Sequence, residues 1–407
     1  MRWIIFLLVY AVIDYYAFQA LKAVTKIKWI HYTHILISII VVGNFIIQFS
    51  IANDEGRVLT PLKSYALGFL LTLMVLKLTT LPLLFGEDIY RVGAGVYNKF
   101  FGSKEAFHLP SRRRFLSQIA LGIAAIPFLS MLYGMYKGKY DFRVLRYTLE
   151  FDDLPDAFDG YQITQISDIH SGSFDDKSKI EYAIDLINEQ GSDVILFTGD
   201  LVNNKATEMM PWLDTFSKLK AKDGKFSVLG NHDYGDYVDW ESEQAKHDNL
   251  VELKQIQKQI GFDLLLNESR FLEKNGDRIA IVGVENWGTN GFKKAGDLKK
   301  AASIIHKNDF KILMSHDPSH WEHQVIDDDY HYHLTLSGHT HGMQFGIEIP
   351  GWIKWSPIKW RYKYWAGIYK EMGQFINVNR GFGFLAFPGR VGIWPEITVI
   401  ELKKATA

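Results

Sequence analysis

The 407-residue chain has no cysteine at all, which excludes disulfide frameworks and thiolate metal sites. It also lacks a charge surplus. Forty-five Lys and Arg stand against 46 Asp and Glu, a formal net charge of -1, and that balance removes nucleic acid as a whole-chain partner. No internal repeat and no low-complexity tract stands out. A mean hydropathy near zero is the average of two unlike parts.

The first part is membrane material. Residues 3–21, 30–51 and 64–85 each approach or exceed the roughly 20 mostly apolar residues that cross a hydrocarbon layer, and residues 115–136 make a fourth stretch. Lys22, Lys26 and Lys28 lie in the first loop, and Arg91, Lys99, Lys104, Arg112, Arg113 and Arg114 follow the third stretch. The second loop sets Asp54 and Glu55 against Arg57 and Lys63. By the bias of Lys and Arg toward the cytoplasm, loops one and three are expected inside, with the amino terminus and everything after residue 136 outside. Arg112 and Arg113 before an apolar run resemble a twin-arginine export motif. A positive stop beside a membrane helix fits the same residues, and no small-residue cleavage pattern follows. An anchor is therefore expected rather than a removed signal. Asp14 and Lys77 sit midway along the first and third stretches, which run in the same direction, and are expected to face each other.

From residue 137 the pattern becomes that of an α/β domain. Strands are expected at 144–151, 163–167, 194–198, 226–229, 311–315, 334–337, 375–378 and 397–402. Helices are expected at 177–189, 207–220, 241–260 and 293–305, and a meander across from the other strands at 262–284. Five of the strands stop abruptly at residues that carry chemistry. They deliver Asp168 and His170, Asp200, Asn231 and His232, His316, and His339 and His341. Each alone is an ordinary turn residue; five in fixed order at strand ends form a set of oxygen and nitrogen donors large enough for two metal ions.

At these residues the chain resembles the calcineurin-like metallophosphoesterases, whose signature is Asp-x-His, Gly-Asp, Gly-Asn-His-Asp/Glu, His and Gly-His-x-His. The resemblance implies a two-sheet sandwich flanked by helices over residues 137–407, behind a membrane domain of about four helices over residues 1–136. It also implies that Asp168, His170 and His341 hold one divalent ion, that Asn231, His316 and His339 hold another, and that Asp200 bridges them. His232 becomes the catalytic imidazole. Two cations roughly 3.5 to 4 Å apart make a nucleophile from water and offset phosphoryl charge; a His/Asp/Asn set without thiolate suits Mn, Fe, Zn or Co. An imidazole with an ordinary pKa near 6.5 can protonate a leaving oxygen. Many relatives carry an Asp where Asn203 stands, there orienting the catalytic His, and Asn203 is expected to hydrogen-bond the ring while stabilising an imidazolium less.

The implied activity is a membrane-anchored phosphoesterase or pyrophosphatase, with membrane lipids as partners and a lipid-linked substrate such as UDP-2,3-diacylglucosamine. That substrate is cytoplasmic and conflicts with the expected topology, which favours an extracytoplasmic phosphodiesterase on phospholipid head groups or wall polymers. A non-catalytic metal-binding module that docks partners is the reading from another class. Residues 342–369 interleave Trp352, Trp355, Trp360, Tyr362, Tyr364 and Trp365 with Lys354, Lys359, Arg361 and Lys363. Such a mixture suits either a membrane interface or an aromatic loop closing the sandwich.

Overall fold

The computed structural model describes residues 2–51, 59–101, 110–289 and 291–405. Asp54, Glu55, Arg57 and Lys104, used above to orient the chain, lie outside the described residues. The chain forms two compact units that divide between Tyr136 and Lys137.

The first unit is four helices, α1 (Arg2–Val24), α2 (Lys28–Ser50), α3 (Pro61–Phe101) and α4 (Pro110–Tyr136), each long and apolar enough to cross a membrane. α3 runs well past the expected end at residue 85. At 1.5 Å per residue its 41 residues extend about 60 Å, twice the thickness of a hydrocarbon core, so its far part must leave the bilayer. Arg91 and Lys99 mark that part.

The two midspan charges meet as expected. Lys77 Nζ lies 2.7 Å from Asp14 Oδ1 and donates to Ser38 Oγ at 3.0 Å and to the Tyr10 hydroxyl. Asp14 also accepts from Ser38 at 3.1 Å and pairs with His34 at 3.0 Å, so one carboxylate ties α1 to α2 and α3. Removing either partner leaves a charge inside the bundle, at a cost on the order of 3 kcal/mol. Lys77→Ala and Asp14→Ala are each expected to lower the yield of folded protein in membrane extracts, and the swap Asp14→Lys with Lys77→Asp to recover much of it. Full yield of both single variants would show that the pair contributes nothing to assembly. The arginines at the head of α4 are likewise used in packing: Arg113 pairs with the buried Glu87 at 3.1 Å and with Asp88, and Arg112 lies 3.6 Å over the Tyr90 ring. A helix-packing role thus accounts for both.

The second unit begins with β1 (Arg143–Phe151), β2 (Gln162–Ile166), α5 (Lys177–Asn188), β3 (Val194–Phe197), α6 (Leu213–Phe216) and β4 (Lys225–Ser227). It continues through α7 (Glu243–Ile260), β5 (Asp263–Leu264), β6 (Glu268–Lys274), β7 (Asp277–Gly283), α8 (Leu298–Ala301), β8 (Phe310–Met314) and β9 (Leu334–Ser337). It ends with β10 (Ile347–Ile349), β11 (Ile353–Trp355), β12 (Gly367–Glu371), β13 (Gln374–Val378) and β14 (Glu396–Lys404). Two six-stranded mixed sheets result, ordered β1-β14-β2-β3-β4-β5 and β12-β13-β9-β8-β7-β6. Ile163, Leu196 and Phe226 of the first sheet pack against Ile281, Ile312 and Leu334 of the second. Helices α5 and α7 cover the outer face of the first sheet, and α8 with Trp321 and Val325 that of the second. With both faces covered, β3 is apolar without alternation, whereas β9 alternates Leu with Thr and Ser and buries all four.

Several local expectations change. The helix expected at 207–220 is a 3-10 turn, Ala206–Trp212, followed by the single turn of α6, because Pro211 cannot donate an amide hydrogen. The one expected at 293–305 shrinks to α8, which starts only where the Asp297 carboxylate caps the Lys300 N–H. The meander is split: β5 joins the first sheet beside β4, whereas β6 and β7 form a hairpin whose second strand runs parallel to β8 in the sheet that carries His316. Residues 342–369 hold the β10–β11 ribbon, the turn Pro357–Trp360 and the start of β12.

Candidate metal centre

In the first sheet β2, β3 and β4 are parallel, and in the second so are β8 and β9, so the carboxyl ends of each set lie along one edge. All eight singled-out residues come together there. Asp168 Oδ1 lies 3.2 Å from His341 Nε2, which is 3.0 Å from His170 Nε2. Asp200 Oδ2 lies 3.1 Å from His316 Nε2 and 3.6 Å from His170 Nε2, between the two groups. His339 Nδ1 is 2.8 Å from Asn231 Oδ1, while the Asn231 amide donates to the Tyr237 hydroxyl at 2.8 Å, so the carbonyl is the end turned inward.

The main chain bends sharply to do this. Asp168, His170, Asp200, His339 and His341 all have φ between 48 and 72°, the left-handed region that non-glycine residues seldom enter. Two glycines make room. A Cβ on Gly199, at φ +97°, would lie 2.5 Å from the Gly230 nitrogen, and one on Gly338 would collide with the Asp168 carboxylate. Asp233 was present in the sequence stretch without a role, and the fold gives it one. Its buried carboxylate accepts the N–H of Asp200 at 2.9 Å, Leu201 at 2.8 Å and Gly230 at 2.9 Å, tying the loop after β3 to the loop after β4. Burial, then the nearby Asp200, raises its pKa to about 7.

The donor set fits divalent cations. Asp168 His170 His341 and Asp200 His316 His339 each place three ligand atoms within 4.8 Å of one another. Donors about 2.1 Å from a shared ion lie roughly 3 to 4 Å apart, which is the spacing found here. His170 Nδ1 is buried with no hydrogen-bond partner among the described residues. Burial alone would raise both carboxyl pKa values. The imidazoles of His341 and His316 at Asp168, and of His316 and His232 at Asp200, overcome it and hold both far below the usual carboxylate range. Burial pushes His316 toward neutrality, yet Asp200 and then Asp168 raise its pKa to about 10. Burial lowers the pKa of His170, His232 and His339, so those rings are neutral and the two carboxylates ionised, the protonation states in which these donors bind a cation.

His232 is held differently from expectation. Its Nδ1 lies 2.7 Å from the main-chain carbonyl of Asn203, whereas the Asn203 side chain is engaged with Ser173. The carbonyl fixes the ring, so the Asn-for-Asp departure does not reach it. Sequence reasoning also missed Tyr362, whose hydroxyl lies 2.8 Å from His339 Nε2, and Arg390, fully buried with its guanidinium 3.3 Å from His341 Nδ1. Tyr362 lies in the aromatic and basic stretch, where nothing marked it as a partner of the histidines, and Arg390 lies far along the chain from His341. A cavity of about 170 Å³ opens over the cluster, lined by Asn231, His232 and His339 together with Phe292, Ile358, Arg361 and Tyr362.

Two packed mixed sheets gathering Asp, Asn and His at their strand ends, preceded by four membrane helices, define an integral membrane protein with a metal-binding α/β domain. Residues 1–139 match the 4TM phosphoesterase family, a calcineurin-like phosphoesterase transmembrane domain, and residues 161–343 match the calcineurin-like phosphoesterases. The metallophosphoesterase YkuE of Bacillus subtilis is 30% identical over 299 residues, which is 72% of this chain and 98% of that protein. A transmembrane protein with metallophosphoesterase domain from Danio rerio is 24% identical over 373 residues, 89% of this chain and 78% of that one. The structure of the phosphopantetheinyl hydrolase of Mycobacterium tuberculosis, 12% identical, covers 54% of this chain and 89% of its own, with a TM-score of 0.33. The chain belongs to the calcineurin-like metallophosphoesterases, in their four-helix membrane-anchored form.

Proposed function

We propose that this protein hydrolyses a phosphodiester or pyrophosphate, lipid-linked and presented outside the cytoplasm, with two divalent ions. Asp168, His170 and His341 would hold one ion and Asn231, His316 and His339 the other, with Asp200 placed to serve both. The observation that carries this reading is the convergence of every one of these side chains on one sheet edge, with Asp200 between the two groups. The chemistry the ions supply when bound is polarisation of the phosphoryl oxygens and a nucleophile made from water near neutral pH. His232 faces the same cavity and donates the proton that the leaving oxygen needs. Arg361, which lines the same cavity, offers a fork of donors to a phosphate.

Tyr362 acts through His339. In the structure Nδ1–H donates to the Asn231 carbonyl, so Nε2 accepts from the Tyr362 hydroxyl; with an ion on Nδ1 the ring proton would sit on Nε2 and donate to the same hydroxyl, which would hold the ring in place. Tyr362→Phe keeps the apolar packing and removes only that acceptor. It is expected to lose about 10- to 100-fold in metal affinity, measured by calorimetry on the full-length protein. Unchanged affinity would separate the hydroxyl from the metal site.

The full-length protein in nanodiscs, loaded in turn with Mn, Fe, Zn and Co, tests the whole reading against bis(p-nitrophenyl) phosphate, a phospholipid and a lipid-linked pyrophosphate. Turnover that follows metal content supports it; metal binding with no hydrolysis of any substrate would favour the partner-docking module instead. A reporter fused after Tyr140 is expected to be active only outside the cytoplasm. An inward location would overturn the topology and bring back the nucleotide-linked lipid as substrate.

A further inference from the structure

The β10–β11 ribbon is built, yet uncovered. Ile347 is 51% exposed, Ile349 43% and Ile353 38%; Trp352 at its turn is 81% exposed and Trp360 beyond it 76%. A two-stranded ribbon has little stability of its own, and a soluble surface seldom carries so contiguous an apolar patch without a partner. This ribbon is nonetheless fixed at its base. Glu348 accepts from Arg380 at 2.9 and 2.5 Å, Arg380 also pairs with Glu396, and Ser356 donates to the Gly342 carbonyl at 2.8 Å. The aromatic stretch therefore divides: Tyr362, Tyr364 and Trp365 are core, whereas Trp352 and Trp360 stand outside it.

Charge says what the patch meets. Between residues 343 and 365 the only carboxylate is Glu348, already taken by Arg380, while Lys359 and Arg361 are exposed and Lys363, also exposed, pairs with Glu371 at 3.0 Å. Tryptophan beside cationic side chains is the composition of a bilayer interface with anionic head groups. A second copy of the ribbon would bring like charges together, which disfavours a self-contact. The four spans of the same chain keep a bilayer at hand. The stretch is also continuous with the cavity, since Ile358, Arg361 and Tyr362 form its wall. We propose that the β10–β11 ribbon and the Pro357–Trp360 turn insert into the surface of an anionic bilayer and hold the mouth of the metal cavity at the level of lipid head groups. The consequence for substrate choice rests on the phosphoesterase reading; the docking itself does not.

The absence of cysteine makes the test clean. Ile349→Cys and, as a reference on α5, Tyr182→Cys each give a full-length protein with one thiol for a nitroxide label. In nanodiscs of phosphatidylcholine with phosphatidylglycerol, the label at 349 is expected to lose collisions with a nickel chelate severalfold relative to 182 and to gain collisions with oxygen. Pure phosphatidylcholine should weaken the effect. Equal nickel access at both sites would overturn the proposal, and so would dipolar broadening between labels of two copies, which assigns the ribbon to a dimer. Trp352→Ser with Trp360→Ser should spare bis(p-nitrophenyl) phosphate hydrolysis and reduce hydrolysis of a bilayer-resident phospholipid; equal loss on both substrates counts against docking. Because collision rates need no turnover, failure of docking and failure of the hydrolase reading are read separately.

Discussion

Asp200→Asn is expected to abolish metal binding and turnover together. Asp200 Oδ2 reaches toward imidazoles of both groups, at 3.1 Å from His316 and 3.6 Å from His170, while Oδ1 accepts the His232 N–H at 2.8 Å. The substitution keeps the shape, removes one negative charge from a buried position, and sets a donor where two imidazole nitrogens face an acceptor. A dinuclear centre contributes several kcal/mol to a phosphoryl transition state, so losing it corresponds to roughly a 1,000- to 10,000-fold fall in rate. Elemental analysis of the full-length variant should show the metal falling in parallel. Because ligand binding stabilises only the folded form, chelation should lower the melting temperature of the unsubstituted protein and barely move that of the variant. Two ions bound at full rate in Asp200→Asn would sink the bridging assignment.

Much of this site could be read before any coordinates. The runs ending at Asp168, Asp200, Asn231, His316 and His339 are short, mostly buried strands; β3, between two covered faces, shows itself as an uninterrupted hydrophobic run, and the others carry one to three polar residues. Their ends had to share an edge once the strands were parallel. The positive φ of Asp168, His170, Asp200, His339 and His341 was not legible, since Asp and His carry no sequence mark of a left-handed turn as glycine does. Nor was Asp233, whose role depends on three amides from two loops, or Tyr362, which reaches His339 across the cavity wall from a segment without periodicity. The meander misassignment has a plain cause. Alternation identifies a strand but not the sheet it joins, and β5 is too short for its pattern to choose. In the membrane unit, Asp14 and Lys77 could be paired from depth alone, whereas the extension of α3 to Phe101 could not, because an apolar count ends where charges begin and a helix does not.

His232→Ala is expected to separate acid catalysis from metal binding. The ring lies within 4.9 Å of His170 and 4.5 Å of Tyr237, centroid to centroid, and its Nδ1–H is committed to the Asn203 carbonyl at 2.7 Å. Nε2 is the nitrogen left for the cavity. No atom of this side chain belongs to either donor group, so both ions should remain in His232→Ala while the rate falls roughly 100- to 10,000-fold, the scale for removing a positioned acid. The loss should depend on the leaving group. A nitrophenolate departs without a proton and should suffer least, whereas an alkoxide needs one and should suffer most. Asn203→Ala serves as the control for orientation: the carbonyl that holds the ring survives the substitution, so its leaving-group dependence should match that of the unsubstituted protein. A steep dependence in Asn203→Ala would return the orienting role to the side chain. A uniform loss across leaving groups in His232→Ala would instead assign the imidazole to binding the phosphoryl group and leave the proton to come from water.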